Sequence, residues 1–257
     1  MARPVAIITG ASAGIGAALA GVFAANGHEL ILVARREMQL QALADEIAAR
    51  GRPRPLVLNI DLTQQGASAR IAAAMKAADL EAQYVINNAG FGLWGAAASL
   101  SRDEQLAMID LNVRTLADLS LAFLPSLERL RGGILNVASV AAFLPGPYLT
   151  VYYASKAFVL SFSESLRAEL APRGIRVTVL CPGPVPTEFQ ARAGGMPRQG
   201  NGFLDRSADE VALAAYRGLM AGKALVVPGW TNKIVTFMPR LLPRAFLADR
   251  MAGIQKR

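Results

Sequence analysis

Cysteine and histidine are nearly absent from this sequence of 257 residues, which contains one of each, Cys181 and His28. A single cysteine excludes a disulfide framework and a multi-cysteine zinc site, and a single histidine excludes a histidine-rich metal cluster. We therefore expect no metal, and we expect any proton transfer to use tyrosine, lysine, serine or a carboxylate. Cys181 and His28 themselves are interpreted as a small buried residue and a loop residue.

Charged residues are also few, at 18% of the chain, whereas hydrophobic residues reach 53%. This composition can bury a large core and excludes a disordered or low-complexity protein. No charged residue lies between Arg3 and Glu29, as in a targeting segment, but the glycines and polar residues within this stretch do not fit a membrane-spanning helix. We expect a cytoplasmic protein.

Positive charge is concentrated near the carboxyl terminus. Residues 223–257 hold seven basic residues and one acidic residue, a net +6, whereas the whole chain carries +8. A nucleic-acid-binding protein more often carries a basic stripe on its folded body, so we expect no nucleic-acid partner. Apolar and basic residues alternate around Pro239 and Pro243, which predicts two short helices in residues 229–257. We expect residues 1–228 to form the main domain and residues 229–257 to form an extension of it.

Three uses of this extension are open. Its helices can cover the mouth of an active site, pack on a sister subunit, or rest on an anionic membrane surface, since each use suits a mixture of apolar and basic side chains. We favour the first two uses over the membrane.

Short apolar runs alternate along the chain with longer segments of helical period. Strands are predicted at residues 5–8, 30–33, 55–60, 84–86, 133–138, 175–181 and 224–227. Helices are predicted at residues 17–25, from the end of the second strand to about residue 50, and at 64–78, 103–130, 152–170 and 208–220. Strands that are apolar on both sides belong to a parallel sheet with helices on each face. The alternation predicts a doubly wound α/β fold of about seven strands, with a TIM barrel as the alternative.

A glycine-rich turn after the first strand favours the doubly wound fold. Gly10, Gly14 and Gly16 permit a tight turn, a close approach of the backbone to a pyrophosphate, and close packing of helix on strand. The helix amino terminus offers N–H groups and a positive dipole end to phosphates. A simple tight turn is the alternative, but a strand before and a helix after the glycines indicate a Rossmann-type dinucleotide site.

Two arginines follow the second strand. NAD-binding proteins commonly have an acidic residue at this place, and this chain has Arg35 and Arg36 instead. Two guanidinium groups can pair with a 2′-phosphate, so we expect NADP(H) in preference to NAD(H). A solvated basic start of the next helix is the alternative interpretation.

Polar residues also follow the other strands, at the edge where open α/β sheets bind ligands. Asp61 comes after the third strand, and residues 87–90 after the fourth; a helix cap and a turn are their alternative roles. Ser139 closes the fifth strand, and Tyr152 precedes Lys156 by four residues. Residues four apart share a helix face, so the phenol and the ammonium can enter one cleft.

These motifs resemble those of the short-chain dehydrogenase/reductase superfamily, in the branch that uses an Asn-Ser-Tyr-Lys set. The resemblance covers about residues 4–228, in the family's order. The matching pieces are residues 9–16, Asp61, residues 87–90, Asn112, Ser139, residues 152–156, Pro182, Gly183 and Thr187. The Tyr-x-x-x-Lys spacing selects Tyr152, not Tyr153, as the catalytic tyrosine.

The resemblance implies a nicotinamide-dependent oxidoreductase. Tyr152, its pKa lowered by Lys156, exchanges a proton with a substrate oxygen that Ser139 also binds. Lys156 holds the nicotinamide ribose, and Asn112 positions a water that relays protons to Lys156; singly, each of these residues also has an ordinary structural explanation. Val185 and Thr187 meet the carboxamide. The expected cofactor residues are Gly10, Ser12, Gly14, Ile15, Gly16, Arg35, Arg36, Asp61, Leu62, Asn88, Ala89, Gly90, Tyr152, Lys156, Pro182, Gly183, Val185 and Thr187.

The expected substrate cleft is lined mainly by apolar and aromatic residues, some of them in a long Pro- and Gly-rich loop, residues 182–203. They are Phe91, Leu93, Trp94, Phe143, Leu144, Tyr148, Phe189, Met196 and Phe203. Such walls suit a hydrophobic ketone, aldehyde or secondary alcohol, although Arg192 and Arg198 can instead meet an acidic group. A non-catalytic nucleotide-binding scaffold and a membrane-associated fatty-acyl or steroid reductase are the alternative functions. The resemblance also implies a homo-oligomer.

Overall fold

The computed structural model describes residues 2–194, 202 and 204–256, and within them the chain forms one seven-stranded sheet. The strands are β1 (Arg3–Thr9), β2 (Glu29–Ala34), β3 (Leu56–Asn59), β4 (Leu80–Asn87), β5 (Gly133–Val137), β6 (Arg176–Leu180) and β7 (Leu225–Val226). Every neighbouring pair is parallel, in the order β3-β2-β1-β4-β5-β6-β7. The predicted Rossmann-type doubly wound fold is confirmed.

Helices cover both faces of the sheet. Within the described residues they are α1 (Gly14–Ala25), α2 (Glu37–Ala49), α3 (Ala67–Ala77), α4 (Arg102–Ile109), α5 (Leu116–Ala122), α6 (Leu124–Arg129), α7 (Thr150–Leu170), α8 (Glu188–Arg192), α9 (Ala208–Met220), α10 (Trp230–Phe237) and α11 (Arg244–Gln255). One apolar core lies between the sheet and α1, α2 and α9, and a second lies between the sheet and α3, α5 and α7. Each strand contributes alternate side chains to the two cores.

The central strand illustrates this alternation. Ala6 and Ile8 belong to the first core and Val5 and Ile7 to the second, and all four are at most 1% exposed. The strand order reverses beside β1, because β2 lies on one side of it and β4 on the other. Connections leave β1 and β4 in opposite directions there, so a crevice opens at their carboxyl ends. The sheet thus places its ligand-binding edge at the glycine-rich turn.

The helix predicted over residues 103–130 is not continuous. A π-helical turn, Asp110–Thr115, separates α4 from α5, and the backbone leaves helical geometry at Phe123, with φ −101° and ψ 6°. Pro125, in the first turn of α6, lacks an N–H and cannot extend the hydrogen bonding of α5. The π-helical turn contains Asn112, whose side chain binds backbone groups outside the helix.

The last helices and the long loop differ in how well they were predicted. The two short helices expected in the extension are present as α10 and α11, whereas α8, inside the predicted loop, was missed. Met196, Arg198 and Phe203 lie outside the described residues.

Among those described, no helix combines the length and the hydrophobicity that crossing a bilayer requires. Cys181 is fully buried, as predicted, and His28 lies in a loop beside an aromatic cluster.

Candidate active site

The glycine-rich turn leads β1 directly into α1. Gly10 and Gly14 adopt φ values of 65° and 55°, in the left-handed region that favours glycine. A Cβ on Gly16 would lie 2.2 Å from the Gly10 carbonyl oxygen, so the packing of the helix on the turn depends on glycine there. No side chain of the described residues caps α1 at Ala13. The N–H groups of its first turn therefore suit the phosphates of a dinucleotide.

Hydrogen bonds fasten this turn to the end of β4. The Thr9 hydroxyl donates to the Ile86 carbonyl and accepts from the N–H groups of Asn88 and Ala89, all at 3.0–3.1 Å. The Asn88 amide donates to the carbonyls of Thr9 and Gly10, at 3.0 and 3.2 Å. Asn88 therefore shapes the glycine turn through both of its amide contacts. Thr9 performs a similar role that the sequence analysis did not predict.

Arg36 lies at the rim of the turn. Its guanidinium donates twice to the Ser12 hydroxyl, at 3.1 Å each, and forms a 2.7 Å ion pair with Glu188 at the start of α8. Both partners of the ion pair are exposed, so the pair itself adds little stability. The contacts nevertheless bring Arg36 beside Ser12, and its binding of a phosphate of the cofactor stays a prediction.

Asp61 and two further arginines lie close to this rim. Burial raises the pKa of Asp61, but hydrogen bonds from Thr63 and the positive charges of Arg35 and Arg192 together bring that pKa below its ordinary value. The carboxylate accepts from the Thr63 N–H and hydroxyl at 3.0 and 2.8 Å. Asp61 caps no helix, because α3 begins at Ala67 with Gly66 as its N-cap; its carboxylate stabilises the turn at Thr63 and is ionised beside the arginines.

Ser139, Tyr152 and Lys156 meet on the other side of the crevice. The Ser139 hydroxyl lies close enough to the Tyr152 phenol to lower the pKa of Tyr152. Lys156 Nζ lies 5.8 Å from the centroid of the Tyr152 ring and donates to the Val137 carbonyl at 2.8 Å. Lys156 is only 5% exposed, which excludes an ordinary surface charge. The Ser139 hydroxyl also accepts from the Ala141 N–H, at 3.1 Å, so the turn after β5 fixes its direction.

The titration of this group differs from the expectation. Burial raises the pKa of Tyr152 to about 12, even though the hydrogen bond from Ser139 lowers it. Burial also lowers the pKa of Lys156 to about 8. The expectation that Lys156 lowers the pKa of Tyr152 is wrong for the polypeptide itself, because the loss of hydration on burial is the larger effect. At neutral pH the phenol is therefore protonated and able to donate a proton.

Asn112 is buried behind these residues. Its amide pairs with the backbone of Phe91, donating to the carbonyl at 2.9 Å and accepting from the N–H at 3.1 Å, and it donates to the Ser155 hydroxyl at 3.1 Å. Ser155 in turn donates to the Tyr152 carbonyl, at 2.7 Å. A Cβ on Gly90 would lie 2.9 Å from Asn112 Oδ1 and 3.5 Å from Lys156 Nζ. Asn112 thus links the π-helical turn to the segment that carries Tyr152, and its water relay stays a prediction.

A buried polar network that the sequence analysis missed lies beneath the site. Asn87, treated there as a turn residue, is the last residue of β4, 3% exposed, and is paired in register with Asn136 of β5. Its amide donates to Asn136 Oδ1 and to the Ser120 hydroxyl, and Asn136 donates to the Ser163 hydroxyl, each at 2.9 Å. The network ties α5 and α7 to the sheet. An asparagine within the apolar run of β5 is the signal that could have revealed it.

The segment after β6 returns to the site. The Pro182 carbonyl accepts from the Val140 N–H at 3.0 Å, next to Ser139. Thr187 lies against the glycine turn, since a Cβ on Gly14 would come 3.0 Å from its methyl group. The Val185 side chain is buried in the first core, and its carbonyl accepts from Gln190 at 2.8 Å. Of the expected cofactor residues in this segment, Thr187 is the one whose side chain borders the turn.

Three expected cofactor residues serve mainly in packing. Leu62 is buried in the second core, and its carbonyl accepts from the Thr115 hydroxyl. Ile15 packs against the first core. Gly183 lies so close to Asn232 of α10 that a Cβ would come 2.4 Å from that amide. Their contacts with the cofactor stay a prediction.

Aromatic residues form the wall next to Tyr152. The ring of Phe189 in α8 lies 5.3 Å from that of Tyr152, between centroids, and the Arg192 guanidinium lies 4.6 Å from the Phe91 centroid. The Trp94 N–H donates to the Ala193 carbonyl at 2.7 Å, which connects the segment after β4 to α8. The described part of the wall is therefore aromatic, with one guanidinium.

The extension packs beside the catalytic helix. Gln255 in α11 donates to the Tyr153 hydroxyl at 2.8 Å, and the ring of Tyr153 lies 6.1 Å from that of Tyr152. Gln255 is 8% exposed, so the end of α11 is fixed on the body of the chain. This contact attaches the extension to the body beside the catalytic helix, and its use stays a prediction.

Comparison with known proteins identifies the family. Residues 4–196 match the sequence profile of the family described as short chain dehydrogenase. The chain belongs to the short-chain dehydrogenase/reductase family. It is 38% identical over 238 residues to a sulfoacetaldehyde reductase from Chromohalobacter salexigens, covering 91% of this chain and 88% of that one. Members of this family oxidise CH–OH groups or reduce the corresponding carbonyls, and this chain is an NAD(P)-dependent oxidoreductase of that type.

Two solved structures of the short-chain dehydrogenase/reductase family are similar over almost the whole chain. A short-chain dehydrogenase from Sphingobium yanoikuyae in complex with NADPH is 31% identical, with a TM-score of 0.80, and the match covers 98% of this chain and 95% of that one. A bulky-bulky ketone specific alcohol dehydrogenase from Comamonas testosteroni is 30% identical, with a TM-score of 0.76 and coverage of 97% and 99%.

Proposed function

We propose that this chain is an NADP(H)-dependent reductase of hydrophobic ketones or aldehydes, which also oxidises the corresponding secondary alcohols. The observation that carries the proposal is the meeting of Ser139 and Tyr152 beside the buried Lys156, across the crevice from the uncapped end of α1. A protonated phenol and a hydroxyl that meet at one point can both bind a carbonyl oxygen.

The chain's own residues divide the work of the reaction. When bound, the cofactor supplies or accepts the hydride. Tyr152 donates a proton to the substrate oxygen in the direction of reduction, and its raised pKa keeps the phenol protonated at neutral pH. Ser139 orients that oxygen, and Lys156 places a positive charge beside the phenol and holds the nicotinamide ribose. Asn112 positions the segment around Tyr152 through Ser155, and a water beside it would connect Lys156 to solvent.

The preference for NADP(H) rests on the basic rim. Arg36 is held beside Ser12 of the glycine turn, and Arg35 is close enough to lower the pKa of Asp61. A 2′-phosphate placed among these guanidinium groups gains charge-assisted hydrogen bonds that NAD(H) cannot form. The similar structure from Sphingobium yanoikuyae contains NADPH, which agrees with this assignment.

The aromatic wall supports an apolar substrate. Phe189 and Phe91 border Tyr152 and the segment beside it, and the similar Comamonas enzyme is described as specific for bulky-bulky ketones. A second substrate class, carbonyl compounds that carry an acid group, is favoured by Arg192, which lies over Phe91 at the cleft. The similar sulfoacetaldehyde reductase is named for a substrate of that kind.

The chemistry is tested by Tyr152→Phe with Tyr153→Phe as the matched control. We expect Tyr152→Phe to lower kcat for a panel of aryl ketones, aliphatic ketones and acid-bearing aldehydes by about 100- to 10,000-fold. The dissociation constant for NADPH, measured by quenching of protein fluorescence, should stay within a few fold. Tyr153→Phe should keep most of the activity. A wild-type protein that binds NADPH but turns over no compound in the panel would instead indicate a nucleotide-binding scaffold.

The cofactor preference is tested by titrating NADPH and NADH into the wild type, Arg36→Ala and Arg35→Ala. We expect the wild type to bind NADPH more tightly, and each substitution to weaken NADPH by about tenfold while NADH changes little. Arg54→Ala, which removes an exposed arginine bonded to Asp45, serves as the control. Equal affinities in all four proteins would contradict the assignment of the 2′-phosphate site.

We also propose that the chain forms homo-oligomers through α4, α5 and α7. These helices expose large apolar side chains, at 39–49% of their surface. The residues are Leu106, Ile109, Leu121 and Phe158. A face of this kind is typical of subunit contacts, and light scattering of wild type and Phe158→Ser would measure it.

A further inference from the structure

The amphipathic pattern of α10 is inverted with respect to the body of the chain. Its polar side chains Thr231, Asn232 and Thr236 are buried, with exposures of 3%, 0% and 8%. Asn232 donates to the Pro228 and Leu204 carbonyls, at 2.8 and 3.2 Å, which fixes this side of the helix to the body. A surface helix normally buries its apolar side and exposes its polar side.

The opposite side of α10 is apolar and faces outward. The helical backbone continues past the end of α10 through a short 3₁₀ turn. Side chains separated by four, seven, eight and eleven residues therefore lie on one side of it. Those side chains, with their exposed fractions, are Trp230 (62%), Ile234 (49%), Phe237 (55%), Met238 (51%) and Leu241 (70%). We call this surface the outer face of α10, and its apolar extent calls for a covering partner.

The charge around the outer face selects the partner. The extension that contains the outer face is basic: Lys233, Arg244, Arg250 and Lys256 are exposed, and residues 223–257 carry a net +6. A second copy docked by the same face would bring two such segments together, and the like charges would repel. A bilayer that contains anionic phospholipid matches both the apolar surface and the positive charge.

We propose that the outer face of α10 docks the protein on the surface of a bilayer that contains anionic phospholipid. The docked element is rigidly joined to the catalytic body, because Asn232 packs on Gly183 and Gln255 holds the Tyr153 hydroxyl. Docking would therefore hold the catalytic body against the lipid surface and would not merely tether the chain. This inference is independent of the substrate and cofactor assignments above.

Sedimentation with lipid vesicles tests the docking. We expect the wild type to bind vesicles of phosphatidylcholine mixed with phosphatidylglycerol, to bind vesicles of phosphatidylcholine alone much less, and to dissociate as salt is raised. The double variant Ile234→Ser/Leu241→Ser should bind at least about tenfold less tightly, since it removes apolar surface from the contact. Met38→Ser, which removes an 81% exposed apolar side chain on α2, should bind as the wild type does.

The electrostatic part of the docking has its own variant. Replacing Lys233 and Arg250 by glutamine should weaken binding to the anionic vesicles by about 30-fold, because each cation near such a surface contributes about fivefold. Emission from Trp230 should shift to shorter wavelength when vesicles are added, in a variant with Trp94→Phe. Circular dichroism of each variant checks that it is folded.

Three results would overturn the proposal. One is no binding of the folded wild type to anionic vesicles at low salt. Another is equal binding by the wild type and by the Ile234→Ser/Leu241→Ser variant. The third is a lower molecular mass for this variant than for the wild type in light scattering, because that result would show that a second copy covers the face in the wild type.

Discussion

Replacing Lys156 by methionine should remove a rise in the free energy of unfolding that the wild type shows with increasing pH. Burial lowers the pKa of Lys156 to about 8 in the folded chain, against 10.5 for an ordinary lysine. Between pH 8 and 10.5 the unfolded chain therefore binds a proton that the folded chain does not, so the free energy of unfolding rises with pH across this window. Below pH 8 both states are protonated and the full cost of burying the ammonium is present. Over the whole window this contribution amounts to about 3 kcal/mol.

The methionine variant lacks this titration. It also loses the hydrogen bond from Lys156 to the Val137 carbonyl, which costs about 1–3 kcal/mol, but this loss does not depend on pH. The informative quantity is therefore the difference in unfolding free energy, variant minus wild type. It should fall by about 2 kcal/mol between pH 7 and pH 9.5, as the wild type gains the stability that the variant already has.

Urea unfolding of both proteins at these two pH values measures the difference. Cys181 and Tyr152, whose pKa values burial raises to about 12, are present in both proteins, so their contributions largely cancel. Lys76→Met, at an exposed position on α3, should show no comparable change. Parallel pH curves for wild type and Lys156→Met would refute the argument, since Lys156 would then titrate as an ordinary lysine.

Three further predictions concern the cofactor rim and the buried asparagine. Glu188→Gln should raise the affinity for NADPH a few fold in fluorescence titrations, and that for NADH less, because it frees Arg36 from its ion pair. Gly16→Ala should abolish tight cofactor binding and lower the melting temperature in calorimetry, because its Cβ would meet the Gly10 carbonyl at 2.2 Å. Asn112→Ala should destabilise the chain by about 2–4 kcal/mol in urea unfolding, since three buried hydrogen bonds are lost.

The fold and the meeting of the main site residues could be predicted from the sequence. Strands such as β1, apolar on both sides, require a covered parallel sheet, and its strand ends share one edge, so Ser139 and Tyr152 had to lie near the glycine turn. The spacing of Tyr152 and Lys156 on one helix face needed no tertiary information. These predictions rest on periodicity and on connection rules, which act locally along the chain.

Features that depend on tertiary contacts were missed. The π-helical turn at Asn112 arises where that side chain reaches the Phe91 backbone, and helical periodicity contains no sign of such a contact. The ion pair of Arg36 with Glu188 joins residues 152 positions apart. The raised pKa of Tyr152 depends on how much water the fold removes, which the proximity of Lys156 in sequence does not indicate.

The orientation of α10 also depends on tertiary contacts that the sequence does not indicate. The sequence predicted a basic, apolar pair of helices, but which side of α10 is buried depends on Asn232 and its backbone partners. A helix with hydroxyl and amide groups on one side and large apolar groups on the other would ordinarily be oriented the opposite way. Contacts with the loops after β6 and β7 determine which side of this helix faces the body.

The burial of Cys181 has a practical consequence for measurements on this protein. The thiol is fully buried and its pKa is raised to about 12, so almost no thiolate is available to alkylating reagents near neutral pH. Since the sequence has no other cysteine, the native protein offers a silent background for maleimide chemistry. A single engineered cysteine, for instance Leu241→Cys, can then carry one fluorophore or spin label without first removing the native thiol.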